Sequence, residues 1–513
     1  MRVEGHAGET AVDLLVVGGG INGVGIARDA AGRGLTVMLV EQSDLASATS
    51  SASTKLIHGG LRYLEYYEFR LVREALVERE VLLRNAPHII WPLTFVLPHN
   101  SSLRPAWMIR LGLFLYDHLG GRARLPGSRG VDLRHSPFGQ PLKPSFVKGF
   151  SYADCWVDDA RLVALNALDA AERGAEILTR TRCMSARRVA NLWEATLRPS
   201  PTGVTRQVRA RCLVNATGPW VASFIEGGLG FKQRNRLRLI KGSHIVVPRL
   251  FDGEQAYILQ NADRRIVFAI PYERHFTLIG TTDIPYDGDP ASVAISPAEI
   301  DYLCDVINQH FARSIRPADV VWSYAGVRPL HDDESDSASA VTRDYVLELE
   351  DGDGRPPLLS VFGGKITTYR KLAEHALRKL QRHFPAMRPS WTHAAPLPGG
   401  DIPDADFGRF LAEVRARRPW LPESLARRYA RAYGTRTDRL VGDAASLAGL
   451  GQHLGEDLYA REVEYLVDQE WTRTADDVLW RRSKLGLHIS PATQAALKAW
   501  FGESPAPAMV VQQ

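Results

Sequence analysis

Gly18, Gly20 and Gly23, followed by Glu41, are the residues whose type and spacing imply chemistry most directly. Glycine at 18 permits a tight turn, glycine at 20 lets backbone approach a pyrophosphate, and glycine at 23 lets helix and strand pack closely, so that phosphates meet a helix N-terminus. Glu41 is placed to accept hydrogen bonds from an adenosine ribose diol and would repel a 2′-phosphate, which argues against NADP. A second group comprises Arg62, Arg328 and Lys365, each in a glycine-flanked segment and none on an evident solvated helix face. There a guanidinium fork or an ammonium can hold an oxyanion, whereas an arbitrary arginine would make a surface ion pair. Imidazole titrates near neutral pH and suits proton transfer. His244 lies on a strand-like pattern and His58 in a small-residue loop.

These groups need elements to hold them. Residues 14–41 read as strand, glycine turn, helix, strand and acid, the order of a dinucleotide-binding βαβ unit. Its position at the start of the chain favours FAD over NAD, because many FAD enzymes begin this way and add a substrate domain afterwards. The small-residue loop from Ser50 to Leu64 can wrap a cofactor, and residues 65–85 have helical spacing, with Leu71, Leu76, Val77 and Leu83 near one face. From 151 to 192 the pattern is helix then strand, and a further strand ends in Cys212-Leu-Val-Asn-Ala-Thr-Gly-Pro-Trp220, a turn that can approach the dinucleotide again. Alternation at Ser243–Val247, Arg265–Ile270 and Phe276–Gly280 predicts antiparallel strands of a substrate domain. After Gly363 and Gly364, the positions Leu372, Ala373, Ala376 and Leu380 predict a helix whose N-terminus faces the pyrimidine end of a flavin, where reduction accumulates negative charge. Proline, glycine and aspartate from Pro396 to Asp404 mark a linker, beyond which the chain reads as purely helical and arginine-rich.

The expected fold is α/β: a Rossmann-type FAD-binding domain, an antiparallel-sheet substrate domain that resembles those of glycine and D-amino-acid oxidases, and an all-α C-terminal cap. Expected segments are 1–95, 151–225 and 346–395 for FAD, 96–150 for an insertion with a candidate membrane-contacting helix, 226–345 for the substrate sheet, and 396–513 for the cap. A length of 513 residues permits about three domains. Hydrophobic residues at 45% and charged residues at 24% exclude disorder and a polytopic membrane protein. No apolar run reaches the roughly 18 residues of a spanning helix, and Met1–Thr10 lacks an apolar signal core, so a cytosolic chain is expected. Cys155, Cys183, Cys212 and Cys304 have no C-x-x-C spacing; neither a metal site nor a disulfide framework is expected. A net charge of +5 with no basic run interleaved with aromatics argues against nucleic acid as a partner.

The segments Ile57-His-Gly-Gly-Leu-Arg-Tyr-Leu-Glu65, Asn215–Trp220, Ile240-Lys-Gly-Ser-His244, Gly280-Thr-Thr-Asp283, Gly326-Val-Arg-Pro-Leu330 and Phe362-Gly-Gly-Lys365 together resemble the aerobic, FAD-dependent glycerol-3-phosphate dehydrogenases. The resemblance runs from about residue 12 to about residue 490, where Thr474–Arg482 is similar to the family's helical cap. The chain departs in its first ten residues, in Ala325 where bacterial relatives often carry serine, and in its arginine-rich tail. The resemblance implies oxidation of sn-glycerol 3-phosphate to dihydroxyacetone phosphate by hydride transfer from C2 to flavin N5, with electrons passed on to a membrane quinone. On that basis His244, Arg328 and Lys365 are the expected catalytic residues, with Arg62, Tyr63, Arg328 and Lys365 around the substrate. His58 competes with His244 as base, and Lys365 has a second possible role beside flavin N1 or O2. Expected cofactor contacts are Gly18, Gly20, Gly23, Glu41, Thr49, Ser50, His58, Thr217, Gly218, Gly364, Lys365 and Thr367.

Quinone reduction calls for contact with a bilayer. Ala106–Leu119, apolar with several aromatics and carrying Arg110, with Arg104 just before it, has the composition of an interfacial helix; burial in the core is the competing reading. The C-terminal arginines could attract anionic headgroups, and the cap could support a homodimer. The expectation is a peripheral enzyme on the cytoplasmic face of the inner membrane. Its rivals are a glycerol-3-phosphate oxidase making hydrogen peroxide, an amine oxidase of the same fold, and a flavin-bearing binding protein without catalysis.

Overall fold

Apolar runs and glycine turns fold into two sheets and a cap in the computed structural model, which describes residues 10–503 apart from 101–103, 122–123, 201–202, 233–236, 262, 264 and 332–343. The chain opens with β1 (Thr10–Val17), α1 (Ile21–Gly32) and β2 (Val37–Val40). β2 and the Leu14–Val17 half of β1 are apolar throughout because the sheet is covered on both faces there, the usual reason a parallel strand reads as a continuous apolar run. A loop leads to β3 (Leu56–Ile57), α2 (Phe69–Asn85), β4 (Ile90–His99), α3 (Ala106–Leu119), β5 (Arg129–Asp132), β6 (Lys148–Val157) and α4 (Asp159–Glu172). Then come β7 (Glu176–Leu178), β8 (Thr181–Val189), β9 (Leu192–Pro199), β10 (Arg206–Asn215) and one helical turn, α5 (Val221–Ser223).

The second half supplies β11 (Leu237–Pro248), β12 (Ala256–Gln260), β13 (Ile266–Tyr272), β14 (Phe276–Gly280), β15 (Ile284–Pro285), α6 (Pro297–His310) and β16 (Trp322–His331). The chain returns through β17 (Val346–Glu350), β18 (Leu358–Phe362) and α7 (Tyr369–Leu380). One sheet has the order β17-β18-β10-β1-β2-β7, extended by β9 on β10 and β8 on β9. The other has the order β15-β11-β14-β13-β12-β4-β6-β3, with β16 along β11 and β5 along β6. In the first sheet β10, β1 and β2 run parallel, and α1 packs against α4 and α7.

Expected segment ends at 95 and 150 fall inside β4 and β6, which pair with each other from Ile90↔Val157 to His99↔Lys148 in the substrate-side sheet. Hydrophobic alternation specifies a strand and its buried face but not its partner, so four strands from the first third of the chain, β3 to β6, join a sheet built mostly from the middle. Val77, expected on the packed face of α2, is 38% exposed. The stretch after Pro396 is a fastened seam: the Leu397 N–H bonds the Asn85 carbonyl at 2.9 Å, the Thr435 N–H bonds the Gly399 carbonyl at 3.1 Å, and Leu397 through Gly400 are buried.

The cap holds α8 (Phe407–Arg417), α9 (Glu423–Tyr433), α10 (Thr437–Val441), α11 (Ala460–Glu470) and α12 (Pro491–Trp500), with a small ribbon of β19 (His453–Gly455) and β20 (Leu458–Tyr459) that the purely helical expectation omits. Buried charge locks it down. Asp44, just past β2, accepts from Arg481 at 2.6 Å and from Arg482 at 2.8 Å, while Arg161 of α4 pairs with Glu470. Breaking one member of such a pair strands the other in low dielectric, so these bonds hold cap and FAD-side sheet in one register. All four cysteines are buried and unbridged.

Candidate active site

The glycine turn forms as its spacing requires. Gly18 has φ +115°, and a Cβ there would lie 2.4 Å from the Ala216 oxygen; a Cβ on Gly23 would lie 1.9 Å from the Gly18 oxygen. Register Val17↔Asn215 sets the 215–218 turn beside it, where Gly218 opens onto free space and the Thr217 hydroxyl donates to Asn215 Oδ1 at 2.7 Å. Glu41 accepts from the Gly19 N–H at 2.7 Å and from the Ser43 N–H at 2.8 Å; burial nevertheless pushes its carboxyl upward from the usual range. Ser50 Oγ takes the Ile21 N–H at 3.0 Å and borders Gly20. From the far side, Gly364 in a left-handed conformation sits against Asn22, whose Nδ2 donates to the Gly363 carbonyl at 3.1 Å. Among the described residues, Asn22 Oδ1 and Lys365 Nζ are buried with no hydrogen-bond partner.

That arrangement fits FAD. The N-terminus of α1 would turn its positive dipole end to a pyrophosphate, Glu41 would stand at the ribose end, and the buried Lys365 ammonium would stand at the ring end. Two expected contacts are committed elsewhere through their side chains: Thr49 Oγ1 donates to the Val327 carbonyl at 2.7 Å, and Thr367 Oγ1 accepts from the His58 N–H at 3.2 Å. Both bonds tie loops around the cradle to the substrate-side strands.

Antiparallel pairing between β11 and β16 matches Ile240↔Arg328, Gly242↔Gly326 and His244↔Tyr324, so Arg328, Tyr324 and His244 share one face of the sheet. Gly326 lets the cofactor-side loop cross that face, since a Cβ there would lie 2.7 Å from Ala52 Cβ. Gly363 lies close to the Pro329 carbonyl, which brings Lys365 toward the strand carrying Arg328. The Lys365 ammonium sits 3.9 Å from the centre of the Tyr63 ring, and Arg62 is half-buried on the same turn. Arg328 donates to Asp283 Oδ1, so part of its charge is balanced within the chain.

His244 is 2% exposed, with Nε2 3.0 Å from Thr54 Oγ1 and its ring stacked on Tyr324 at 4.8 Å between centroids. Burial, then the charges of Lys55 and Arg328, hold its pKa well below the ordinary histidine value. Its resting form is therefore the neutral imidazole. His58 is half-buried in the loop beside the cradle. Thr54, Lys55, Tyr324 and Asp283 were not singled out by spacing. Asp283 ends a quoted motif and Tyr324 precedes Ala325, but their roles come from cross-strand register and carry no local signature.

Helix α3 buries only Leu113 and Tyr116, while Trp107, Leu111 and Phe114 are 66%, 51% and 50% exposed. Its inner face is anchored: the Tyr116 hydroxyl accepts from the Gly59 N–H at 2.7 Å and donates to Asp154 at 2.8 Å. Arg110 is turned onto Ser128 and Arg104 pairs with Glu65. In the cap, Arg415 pairs with Glu423, Arg417 and Arg418 with Asp438, and Arg428 with Glu462, so most of the expected headgroup-binding arginines are balanced internally. No helix among the described residues is long and apolar enough to cross a membrane.

Comparison with known proteins agrees with this geometry. Residues 13–370 match the FAD dependent oxidoreductase family, and residues 390–501 match the C-terminal domain of alpha-glycerophosphate oxidase. The chain is 62% identical over 486 residues to a glycerol-3-phosphate dehydrogenase of Pseudomonas aeruginosa, covering 94% of each. It is 56% identical over 489 residues to a D-erythritol 1-phosphate dehydrogenase of Brucella abortus, covering 95% of this chain and 97% of that one. A crystal structure of the glycerol-3-phosphate dehydrogenase from Bacillus halodurans complexed with FAD superposes with a TM-score of 0.78 at 30% identity, covering 96% of this chain and 90% of that one.

Proposed function

The chain belongs to the FAD-dependent oxidoreductases, among the glycerol-3-phosphate dehydrogenases, and from that premise we propose that it oxidises sn-glycerol 3-phosphate to dihydroxyacetone phosphate and passes the electrons to a membrane quinone. The observation that carries the site is the Lys365 ammonium, buried without an acceptor among the described residues where the FAD cradle meets the face carrying Arg328 and His244. A buried cation is costly unless an anion joins it. A phosphate dianion or the pyrimidine edge of a reduced flavin meets that demand.

Arg62 and Arg328 hold the substrate phosphate, Arg328 being aimed by Asp283, and Tyr63 donates a hydrogen bond beside them. Fixing the phosphate sets C2 at a constant distance from the ring. His244 Nδ1, the ring nitrogen without a partner, takes the C2 hydroxyl proton. When bound, FAD supplies the acceptor for the hydride that leaves C2. The O–H proton passes to His244 as the C2–O bond becomes a carbonyl, balancing the hydride that a bound flavin would take.

Peripheral attachment at the cytoplasmic face of the membrane is supported by the outward apolar face of α3 with the neighbouring Tyr67, 80% exposed. Serine at Trp107, Leu111 and Phe114 together is expected to abolish sedimentation with anionic phospholipid vesicles while flavin content is kept; unchanged sedimentation would remove α3 from the membrane surface.

Substrate and acceptor are tested together by steady-state rates. The proposal predicts the highest kcat/KM for sn-glycerol 3-phosphate over D-erythritol 1-phosphate and glycerol, with a soluble quinone outpacing oxygen. A preference for the four-carbon phosphate would move the chain to the chemistry named for its Brucella relative, and peroxide at the full rate would make it an oxidase.

A further inference from the structure

A neutral imidazole carries one N–H and one lone pair, and the partner of one nitrogen decides which is basic. For His244 one such partner is Thr54 Oγ1, 3.0 Å from Nε2, a hydroxyl that can accept from an N–H or donate to a lone pair. The other nitrogen, Nδ1, is buried with none. The ring packs closely against both neighbours. On one side it lies against the Gly280 backbone, where a Cβ would sit 2.1 Å from Cδ2, and on the other it stacks on Tyr324 with an interplanar angle of 17°.

Thr54 is itself held between two anchored neighbours. The Ser53 hydroxyl donates to Asp159 Oδ2 at 2.7 Å, and the Ser53 carbonyl accepts from the Tyr324 hydroxyl at 2.8 Å. The Lys55 ammonium, 1% exposed, bonds Asp159 Oδ1 at 2.8 Å and the Ser51 carbonyl at 3.0 Å, and lies 5.0 Å from the centre of the Tyr324 ring. A buried ion pair and a backbone-to-ring bond on adjacent residues leave Thr54 Oγ1 little freedom to leave Nε2. The charged groups that face the imidazole are Lys55 from this loop and Arg328 from β16; Asp159 at the start of α4 balances the first and Asp283 the second, with Asp158 nearby. Two cations beside the ring oppose a third charge on it, so the neutral ring is the resting form.

We propose that Thr54 is a positioning residue that accepts the Nε2–H of His244, fixing the tautomer whose bare Nδ1 lone pair meets the C2 hydroxyl, and that the Ser53–Lys55–Asp159 anchor holds Thr54 for this purpose. This rests on the reading of His244 as the base. Without the Thr54 oxygen, the imidazole divides between tautomers, and only the fraction with Nδ1 bare reacts. Thr54 touches no reacting atom in this account; it acts through His244.

The test uses flavin-loaded protein labelled with 15N in its histidine rings, with the His244 signals identified by their loss in His244→Gln. The wild-type protein is expected to show a single Nε2–H tautomer, and Thr54→Val a mixture. Anaerobic flavin reduction by sn-glycerol 3-phosphate is expected to slow about ten- to hundredfold in Thr54→Val, with substrate affinity and flavin content kept, and Thr54→Ser is expected to recover most of the rate. A single unchanged tautomer in Thr54→Val, or reduction at the wild-type rate, overturns the proposal. So does loss of flavin from Thr54→Val, which would make Thr54 a cofactor contact. If His244→Gln reduces flavin at the wild-type rate, the base assignment falls and takes the proposal with it; a slow His244→Gln beside a fast Thr54→Val defeats the Thr54 role alone.

Discussion

The dinucleotide cradle and the substrate-facing sheet meet across residues 49–55, yet they differ in how far their own chain satisfies them. In the cradle, Glu41 accepts two backbone N–H groups, Ser50 takes the Ile21 N–H, and the Thr217 hydroxyl is bonded to Asn215. On the substrate side, Lys365 Nζ and His244 Nδ1 are buried with no hydrogen-bond partner among the described residues, and Asn22 Oδ1, where the cradle meets Gly363, is the comparable atom of the cradle. Folded proteins rarely leave such groups bare, because each forfeits hydrogen bonds to water. The difference separates two tasks: the cradle is a shape that receives a cofactor, and the opposite face keeps open valences for atoms that change charge during reaction.

Filling the shape is the most damaging way to test that division. Gly23→Val places its side chain where a Cβ already lies 1.9 Å from the Gly18 oxygen, so the purified variant is expected to carry almost no flavin and to lose all activity. A flavin-to-protein ratio like that of the wild type would show that the close approach at Gly23 is not required. Removing an open valence should leave the shape intact. Lys365→Met is expected to retain FAD yet reduce it about 10²- to 10³-fold more slowly with sn-glycerol 3-phosphate, measured by stopped flow. Loss of flavin from this variant would blur the two regions into one.

The smallest effect concerns the scaffold behind His244. Glu299 of α6 accepts from Ser243 and Thr282 at 2.8 Å each and pairs with Lys241. Burial pushes its carboxyl up, but the Lys241, Ser296, Ser243 and Thr282 hydrogen bonds outweigh burial and bring it to about 2 from an ordinary 4.5. A depressed carboxyl stabilises the fold above its unfolded pKa, and that stability is lost as pH falls from about 4.5 toward 2. Glu299→Gln should therefore flatten the acid-unfolding curve in that window and cost on the order of 2 kcal/mol near neutral pH, measured by denaturant unfolding. An unchanged acid limb would deny the strut.

The cradle was legible because its parts lie within about thirty consecutive residues and each glycine answers a local demand. The strands expected at 243–247, 265–270 and 276–280 correspond to β11, β13 and β14 for the same reason: alternation is local. What sequence did not disclose depends on pairing at long range. That β4 and β6 join the substrate-side sheet follows from their register with each other and with β12. Ser53 and Tyr324, joined by a bond from hydroxyl to carbonyl, stand 271 positions apart in the chain and meet only because β16 pairs with β11 and the loop crosses Gly326. The stretch at 106–119 admitted two readings by composition; only the packed structure, with Leu113 and Tyr116 inward and Trp107, Leu111 and Phe114 outward, separates the faces.

The most direct measurement is anaerobic: sn-glycerol 3-phosphate is mixed with the yellow protein and the oxidised flavin band is followed, first in the wild type and then in His244→Ala. The account predicts rapid, complete bleaching in the wild type, none with glycerol, and strongly slowed bleaching in His244→Ala at unchanged flavin content. A wild-type flavin that stays oxidised in the presence of sn-glycerol 3-phosphate would contradict it.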